Sequence, residues 1–435
     1  MKSYLCSIYA KQKFIDFCVS ELISLSSIHG ICPETLFSTY NLPKTYTEYD
    51  YCEHFLPQIT EKPFIYVNLP NVSAAEHIAK RGVCIERFTF PLAEADSISS
   101  LVENTLQRFN NDPEAAQFIL AESPFAFRFD TYQSSVSQEE KESIVKSFGV
   151  IPFKGTVDLR SPERKFIVSI SKSKCYFGLE IARSKDTRTR FYAKYSLSDR
   201  EYLGPTTTDM ELALLMANQG KVLENSLVLD PFVGTGGILI AASHFGATCF
   251  GGDIDVRVLK GLGVGRSTKN TEADIFTNFV NYGFQKPEII CCDTSRSCWK
   301  SGEIFDAIIC DPPYGVRASS KKIKKDAVGT ILPRDSYHGA RVFEDLLNLA
   351  ARLLRVGGRL VYLLPTIRNS YSKDAVPTHP LLKLVGNSEN ILSKKISRRL
   401  ITMEKLEAPV SVENEEGKEQ FYAGIREKWF LKNDN

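Results

Sequence analysis

A multidomain α/β protein, with a doubly wound sheet in its second half, is the fold that the sequence predicts. Three observations carry the prediction. The chain has 435 residues, more than one domain usually holds. Short, branched apolar runs alternate with stretches of helical periodicity along it. In the second half, four such runs end in a carboxylate, at Asp230, Asp253, Asp293 and Asp311. Open α/β sheets take their ligands just beyond the carboxyl ends of the strands, so acids recurring there mark a site.

The N-terminal elements follow in order. Residues 1–9 read as a strand, and Phe14, Cys18, Leu22 and Leu25 recur at helical spacing behind it. Strands are predicted at 63–69 and 83–88, with a helix over 72–81 between them. Alternation at this length suggests a small ferredoxin-like region over 1–92. A second unit, 93–183, has an alternating strand at Phe125-Ala126-Phe127-Arg128-Phe129, a helix over 138–148 and a strand at 165–170. Between these last two lies Gly155-Thr156-Val157-Asp158-Leu159-Arg160-Ser161-Pro162. That segment, with the strand after it, resembles the end of a THUMP domain, an RNA-binding module. The polar run from Arg183 to Arg190, with Lys185 and Arg188 against Asp186, opens a linker read over 184–200.

The catalytic candidates lie in 201–435. Thr208 followed by Glu211, with Leu212, Leu215 and Met216 behind, predicts a capped helix. Ser226-Leu227-Val228-Leu229-Asp230 is a buried strand, and Pro231-Phe232-Val233-Gly234-Thr235-Gly236-Gly237 forms a turn before a helix marked by Ile238, Leu239, Ala242 and Phe245. The spacing of Gly234, Gly236 and Gly237 lacks the full dinucleotide fingerprint. A glycine turn still lets a ligand approach the backbone closely. Further strands end at Asp253 and Asp293, and Asp253 would suit a ribose diol.

Phe305-Asp306-Ala307-Ile308-Ile309-Cys310 is a fourth strand, and Asp311-Pro312-Pro313-Tyr314 ends it. Proline removes amide donors and stiffens the backbone, leaving carbonyls free to accept. An acidic acceptor, a fixed carbonyl and an aromatic face together suit a planar base bearing an amine. An ordinary turn after a strand is the plainer reading of those four residues taken alone. A helix over 342–354, a strand over 359–364 and a closing strand over 421–430 complete the expected sheet.

Composition excludes several classes. The chain is 43% hydrophobic and 24% charged, ordinary for a globular protein, and its charge of +2 means that nucleic acid would be held by local patches. Eleven cysteines without a C-x-x-C pair argue against a disulfide framework and against a metal site. With no signal-peptide core and no membrane-spanning apolar run, a soluble, cytoplasmic protein is expected.

These strand ends resemble class I methyltransferases, and Asp-Pro-Pro-Tyr resembles the catalytic motif of those acting on amines. Phe191-Tyr192-Ala193-Lys194-Tyr195-Ser196-Leu197, Gly204-Pro205-Thr206, Gly252-Asp253-Ile254-Asp255, Asn278-Phe279-Val280-Asn281-Tyr282-Gly283, Asp311 to Arg317 and Arg398-Arg399-Leu400-Ile401-Thr402-Met403-Glu404 occur in order. Together they are similar to the catalytic subunit of the eukaryotic tRNA guanosine-10 N2-methyltransferase. The resemblance implies a Rossmann-like class I domain with a seven-stranded mixed sheet, S-adenosylmethionine as cofactor, tRNA as substrate, and a heterodimer with a small zinc-binding activator protein.

It also implies roles. Asp230, Gly234 and Gly236 would line the methionine part of the cofactor, with Thr207, Thr208 and Asp209 at its amino acid end. Asp253 would hold the ribose and Asp293 would reach the adenine, while Phe232, Thr235 and Ile254 complete the cofactor set. Asp311, Pro312, Pro313 and Tyr314 would be catalytic, with Asp311 also beside the cofactor. An adenine N6-methyltransferase and an inactive RNA-binding protein are the alternatives. The basic runs at 321–325 and 394–399 are candidates to border RNA, and the acidic run 413–418 reads as a surface loop.

Overall fold

The computed structural model describes residues 1–8, 12–132, 135–184, 191–204, 207–262, 266–267, 272–296, 298–313, 321–325, 331–336 and 339–408. They divide into two units. The first comprises residues 1–46 and 53–188, the second 47–52 and 189–435.

In the first unit, strands β1 (Lys2–Ile8), β2 (Phe64–Leu69), β3 (Ile85–Ala95), β4 (Phe125–Thr131), β5 (Arg164–Ile170) and β6 (Cys175–Arg183) form one sheet in the order β2-β1-β3-β6-β5-β4. The predicted strands and the helix Val72–Arg81 are present. Asn71 starts that helix by accepting the Ala74 amide, which satisfies one of its orphan N–H groups. The expected border at residue 92 falls inside β3, which pairs with β1 on one side and β6 on the other. The strands before and after residue 92 therefore share a single sheet. Phe125, Phe148, Phe166 and Phe177 pack one face of it as an aromatic core.

The second unit contains β7 (Tyr202–Leu203), β8 (Leu227–Asp230), β9 (Thr248–Asp253), β10 (Arg266–Ser267), β11 (Glu288–Cys291), β12 (Phe305–Cys310), β13 (Lys321–Lys325), β14 (Ile331–Ser336), β15 (Leu354–Ile367), β16 (Leu382–Ile391) and β17 (Ile396–Lys405). Seven of these form the mixed sheet β11-β9-β8-β12-β15-β17-β16. The first five are parallel, and β17 and β16 are antiparallel to their neighbours. From β8 the chain moves outward through β9 to β11, then returns to place β12 on the other side of β8. Strand order reverses there, and the carboxyl ends of β8 and β12 flank the crevice that such a reversal opens.

Two expectations change. Of the linker expected over 184–200, residues 191–200 belong to the second unit and residues 185–190 lie outside the described residues. Tyr195 and Arg200 are each 1% exposed, and the Tyr195 hydroxyl lies 2.8 Å from Nδ1 of His244. Aromatic burial, which the polar run before it does not report, governs this stretch. The sheet is extended by β16 and β17, and the closing strand expected at 421–430 lies outside the described residues.

Candidate active site

The site is built from the ends of β8, β9 and β12. Asp230 closes β8 and is 1% exposed, and one of its oxygens accepts the Phe232 amide at 3.0 Å. Burial holds its carboxyl well above the usual carboxylate range. The Phe232 N–H partly offsets this, while the neighbouring charges of Asp253 and Asp311 add to it.

Asp253, closing β9, accepts the Gly234 amide on one oxygen at 2.9 Å and the Asp255 amide on the other at 2.8 Å. Burial also raises its carboxyl, against the pull of those amides. The Val233 amide donates to the Gly252 carbonyl at 2.9 Å, so the turn after β8 is fastened to β9 through backbone and side chain together.

The glycines of this turn are required. Gly234 has φ +51° and Gly236 has φ +79°, both in the left-handed region that side chains avoid. A Cβ on Gly236 would stand 2.9 Å from the Phe279 ring, whereas one on Gly234 would meet nothing within 4 Å. The space over Gly234 is open. Gly236 then caps the helix Gly237–His244.

Before the turn, the Thr207 hydroxyl donates to the Gly204 carbonyl at 3.1 Å, accepts the Gly204 amide at 3.0 Å, and lies 3.4 Å from the Thr235 hydroxyl. The helix Met210–Gln219 is capped by Asp209, whose carboxylate accepts the Glu211 amide at 2.8 Å. Thr208 is therefore not the cap that its spacing to Glu211 suggested. Its hydroxyl faces Asp311 instead, 3.4 Å from Oδ2. Glu211 accepts the Tyr192 hydroxyl at 2.8 Å rather than closing a capping box.

Asp293 lies two residues beyond the end of β11. One of its oxygens accepts the Ser295 amide at 2.9 Å, and the next residue, Thr294, donates to the Pro231 carbonyl at 3.1 Å. Ile254 is half-buried behind Asp253. Just beyond β12, Asp311 and Pro313 are half-buried and Pro312 is buried, while Tyr314 lies outside the described residues. The structure thus brings Asp230, Asp253, Asp311, Thr207, Thr208, Thr235 and the Gly234 turn to one edge of the sheet.

Sequence reasoning did not place Arg398 here. It stands near the start of β17, with Nη1 3.5 Å from Oδ2 of Asp311 and Nη2 donating to Oδ1 of Asn390 at 3.1 Å. Arg399 donates to Oδ1 and the carbonyl oxygen of Asn387 at 2.8 and 3.1 Å, and its guanidinium covers the Tyr371 ring. Both arginines are committed within their own unit. A second missed residue is Asn278, which accepts the Tyr202 amide and donates to its carbonyl, holding β7 in place.

The donor set fits a nucleoside bearing a methionine tail. The Asp253 carboxylate accepts the Gly234, Asp255 and Ile254 amides and has lone-pair capacity left for a diol, and the open space over Gly234 admits a chain against the backbone.

Residues 54–175 match a family model described as Tmrp11 THUMP N-terminal domain, and residues 198–333 match one described as RMKL-like, methyltransferase domain. The tRNA (guanine(10)-N(2))-methyltransferase TRMT11 of Bos taurus is 36% identical over 374 residues, covering 80% of this chain and 80% of that protein. The chain belongs to the TRMT11 family. The Homo sapiens relative is 35% identical over 376 residues, with the same shares covered. That of Dictyostelium discoideum is 32% identical over 433 residues, 91% of this chain and 81% of that protein. Among solved structures, TrmN from Thermus thermophilus is 16% identical, with 93% of this chain and 100% of that one covered and a TM-score of 0.42. In this TRMT11-family chain the THUMP match crosses residue 92, as the N-terminal sheet does. The methyltransferase match takes in all four strand-end acids and stops before Arg398.

Proposed function

We propose that this chain is the catalytic subunit of a tRNA methyltransferase that transfers a methyl group from S-adenosylmethionine to the exocyclic N2 of guanine at position 10. The observation that carries the reading is membership of the TRMT11 family. The geometry at the end of β12 supplies the chemistry. Bound S-adenosylmethionine offers an electrophilic methyl on a sulfonium, which is a good leaving group.

The chain's own residues then have one main task. The guanine amine is a poor nucleophile because its lone pair is delocalised into the ring. Asp311 accepts one amine hydrogen and the Pro312 carbonyl accepts the other, which turns the nitrogen towards a tetrahedral shape and aims its lone pair. Tyr314 provides the stacking face for a base taken out of its helical partner. Alignment and fixed dipoles account for most of the acceleration. Asp311 need not be a strong base, since the methylated amine sheds its proton readily to water. Asp253 holds the ribose hydroxyls, Asp293 reaches the adenine amine, and the turn from Asp230 through Phe232, Gly234, Thr235 and Gly236 lines the methionine part with Thr207, Thr208 and Asp209. Ile254 packs beside the adenosine.

The N-terminal THUMP unit holds the tRNA in this reading, and a small zinc-binding activator forms a heterodimer with the methyltransferase unit. Truncating residues 1–183 should then remove tRNA binding and spare activator binding. A truncated protein that lost the activator and kept tRNA affinity would reverse this division. The activity itself is tested by methylating unmodified tRNA and mapping the labelled nucleoside with nucleases. N2-methylguanosine at position 10 is the expected product, and N6-methyladenosine would assign the adenine reading instead.

A further inference from the structure

Arg398 reaches the site from the far side of β15. Because β17 runs antiparallel, its first residues lie at the edge where the parallel strands end; Arg398 pairs with Pro365 of β15 and Asn390 of β16 in register. Two strand spacings separate β17 from β12, roughly 9–10 Å. Only a long side chain spans that gap to the residue that follows β12.

The contact made there is specific. Thr208 and Arg398 both address Oδ2 of Asp311, at 3.4 and 3.5 Å, from opposite parts of the unit. Asn390 anchors the guanidinium through Nη2, while the buried Nε has no hydrogen-bond partner. A buried N–H without an acceptor is costly and needs a reason. Pairing with carboxylate is a reason to keep an arginine there. The terminal torsion of an aspartate is broad and nearly two-fold, so the direction of each carboxylate oxygen is set by what it contacts. Gripping one oxygen leaves the other in a fixed direction.

We propose that Arg398, anchored by Asn390 and helped by Thr208, is a positioning residue that grips Oδ2 of Asp311 and so presents Oδ1 to the incoming amine. The inference rests on the reading of Asp311 as the acceptor of that amine. The guanidinium also places a positive charge against an acid whose neighbour, Asp230, carries a carboxyl of its own. A nearby positive charge favours the charged form of a carboxylate in general, and the charged form is the one that accepts.

The test uses the full-length chain, with its activator if the chain alone is inactive, and the variants Arg398→Met, Arg398→Lys, Asp311→Asn and Asp311→Asn/Arg398→Met. Cofactor affinity, kcat, KM for tRNA and the pH profile of kcat are measured, with melting curves to show that each variant is folded. Arg398→Met should lower kcat about 100-fold, the cost of a small misplacement of reacting groups. It should leave cofactor affinity unchanged and move the acid limb of the profile to higher pH. Arg398→Lys, which keeps the charge, should recover part of the loss. In the Asp311→Asn background the arginine change should cost little further. If Arg398→Met does not fold, Arg398→Lys carries the test: it should lower kcat with cofactor affinity unchanged, and cost little further in the Asp311→Asn background. An effect confined to KM for tRNA, or an equal loss in both backgrounds, overturns the proposal. Full turnover by Asp311→Asn would instead sink the reading of Asp311 itself.

Discussion

Asp253 and Gly234 are joined by a 2.9 Å hydrogen bond from the glycine amide to the carboxylate, across the gap between β9 and the turn after β8. The bond ties the acid that would hold a ribose to the turn that would meet the methionine tail. Binding at either end is thereby coupled to the shape of the other. The second Asp253 oxygen is set by the Asp255 amide, so the carboxylate is oriented before any ligand arrives.

Asp253→Ala should therefore weaken cofactor binding by about 1.5–3 kcal/mol, the scale of a lost charge-assisted hydrogen bond. Titration calorimetry checks this. An affinity equal to that of the parent would mean that Asp253 serves only to fasten the turn.

Asp230 leads to a prediction about pH. Its carboxyl is held well above the ordinary range by burial, so the fold favours the protonated form. Its stabilising contribution is full below the unfolded pKa near 4 and is lost as pH rises through the higher folded value. Asp230→Asn keeps an oxygen for the Phe232 amide and removes the charge. At pH 8 the variant should melt higher than the parent by about 2–4 °C for each kcal/mol recovered. At pH 4 the two should differ little. Parallel melting curves across that range would show that Asp230 is not the group being charged.

Asp311→Ala should abolish methyl transfer, by about 10²–10³-fold or more in kcat, since a preorganised polar group at the reacting atom is removed. Cofactor binding should stay near normal, because the ribose and turn contacts arise from β8 and β9. Single-turnover assays beside calorimetry separate the two effects. Near-normal turnover would reassign the acceptor.

The acid-ended strands were legible because a buried strand stopped by Asp is a strong local pattern, and Asp230, Asp253 and Asp311 converge as expected. The seven-stranded mixed sheet was also expected, but β16 and β17 were not recognised as its members. Arg398 and Arg399 made the start of β17 read as a basic run bordering RNA, whereas their bonds to Asn390 and Asn387 show how two guanidinium groups sit in a strand. Those partners lie on the neighbouring strand, where no local pattern reports them. The cap at Asp209 was misread for a related reason. Thr208 and Asp209 are both good caps, and the choice was decided by the contact of Thr208 with Asp311, 103 positions away. Aromatic packing of Tyr195 against His244 likewise drew 191–200 out of the expected linker.

The two left-handed glycines should respond differently to the same substitution. Gly236→Ala puts a methyl 2.9 Å from the Phe279 ring and 3.3 Å from Ile275, in addition to the strain at φ +79°. It should lower stability by more than the ~1–2 kcal/mol of left-handed strain alone. Gly234→Ala adds the strain at φ +51° but no clash, so the folded protein should lose only about that 1–2 kcal/mol. Its methyl, however, enters the open space over the turn, where the cofactor's methionine part would lie. Gly234→Ala should thus lose more cofactor affinity than its modest fall in stability accounts for, whereas Gly236→Ala should lose stability first. Denaturant unfolding and calorimetry on the two variants measure both quantities. Unchanged cofactor affinity in a folded Gly234→Ala protein would place the ligand away from this turn.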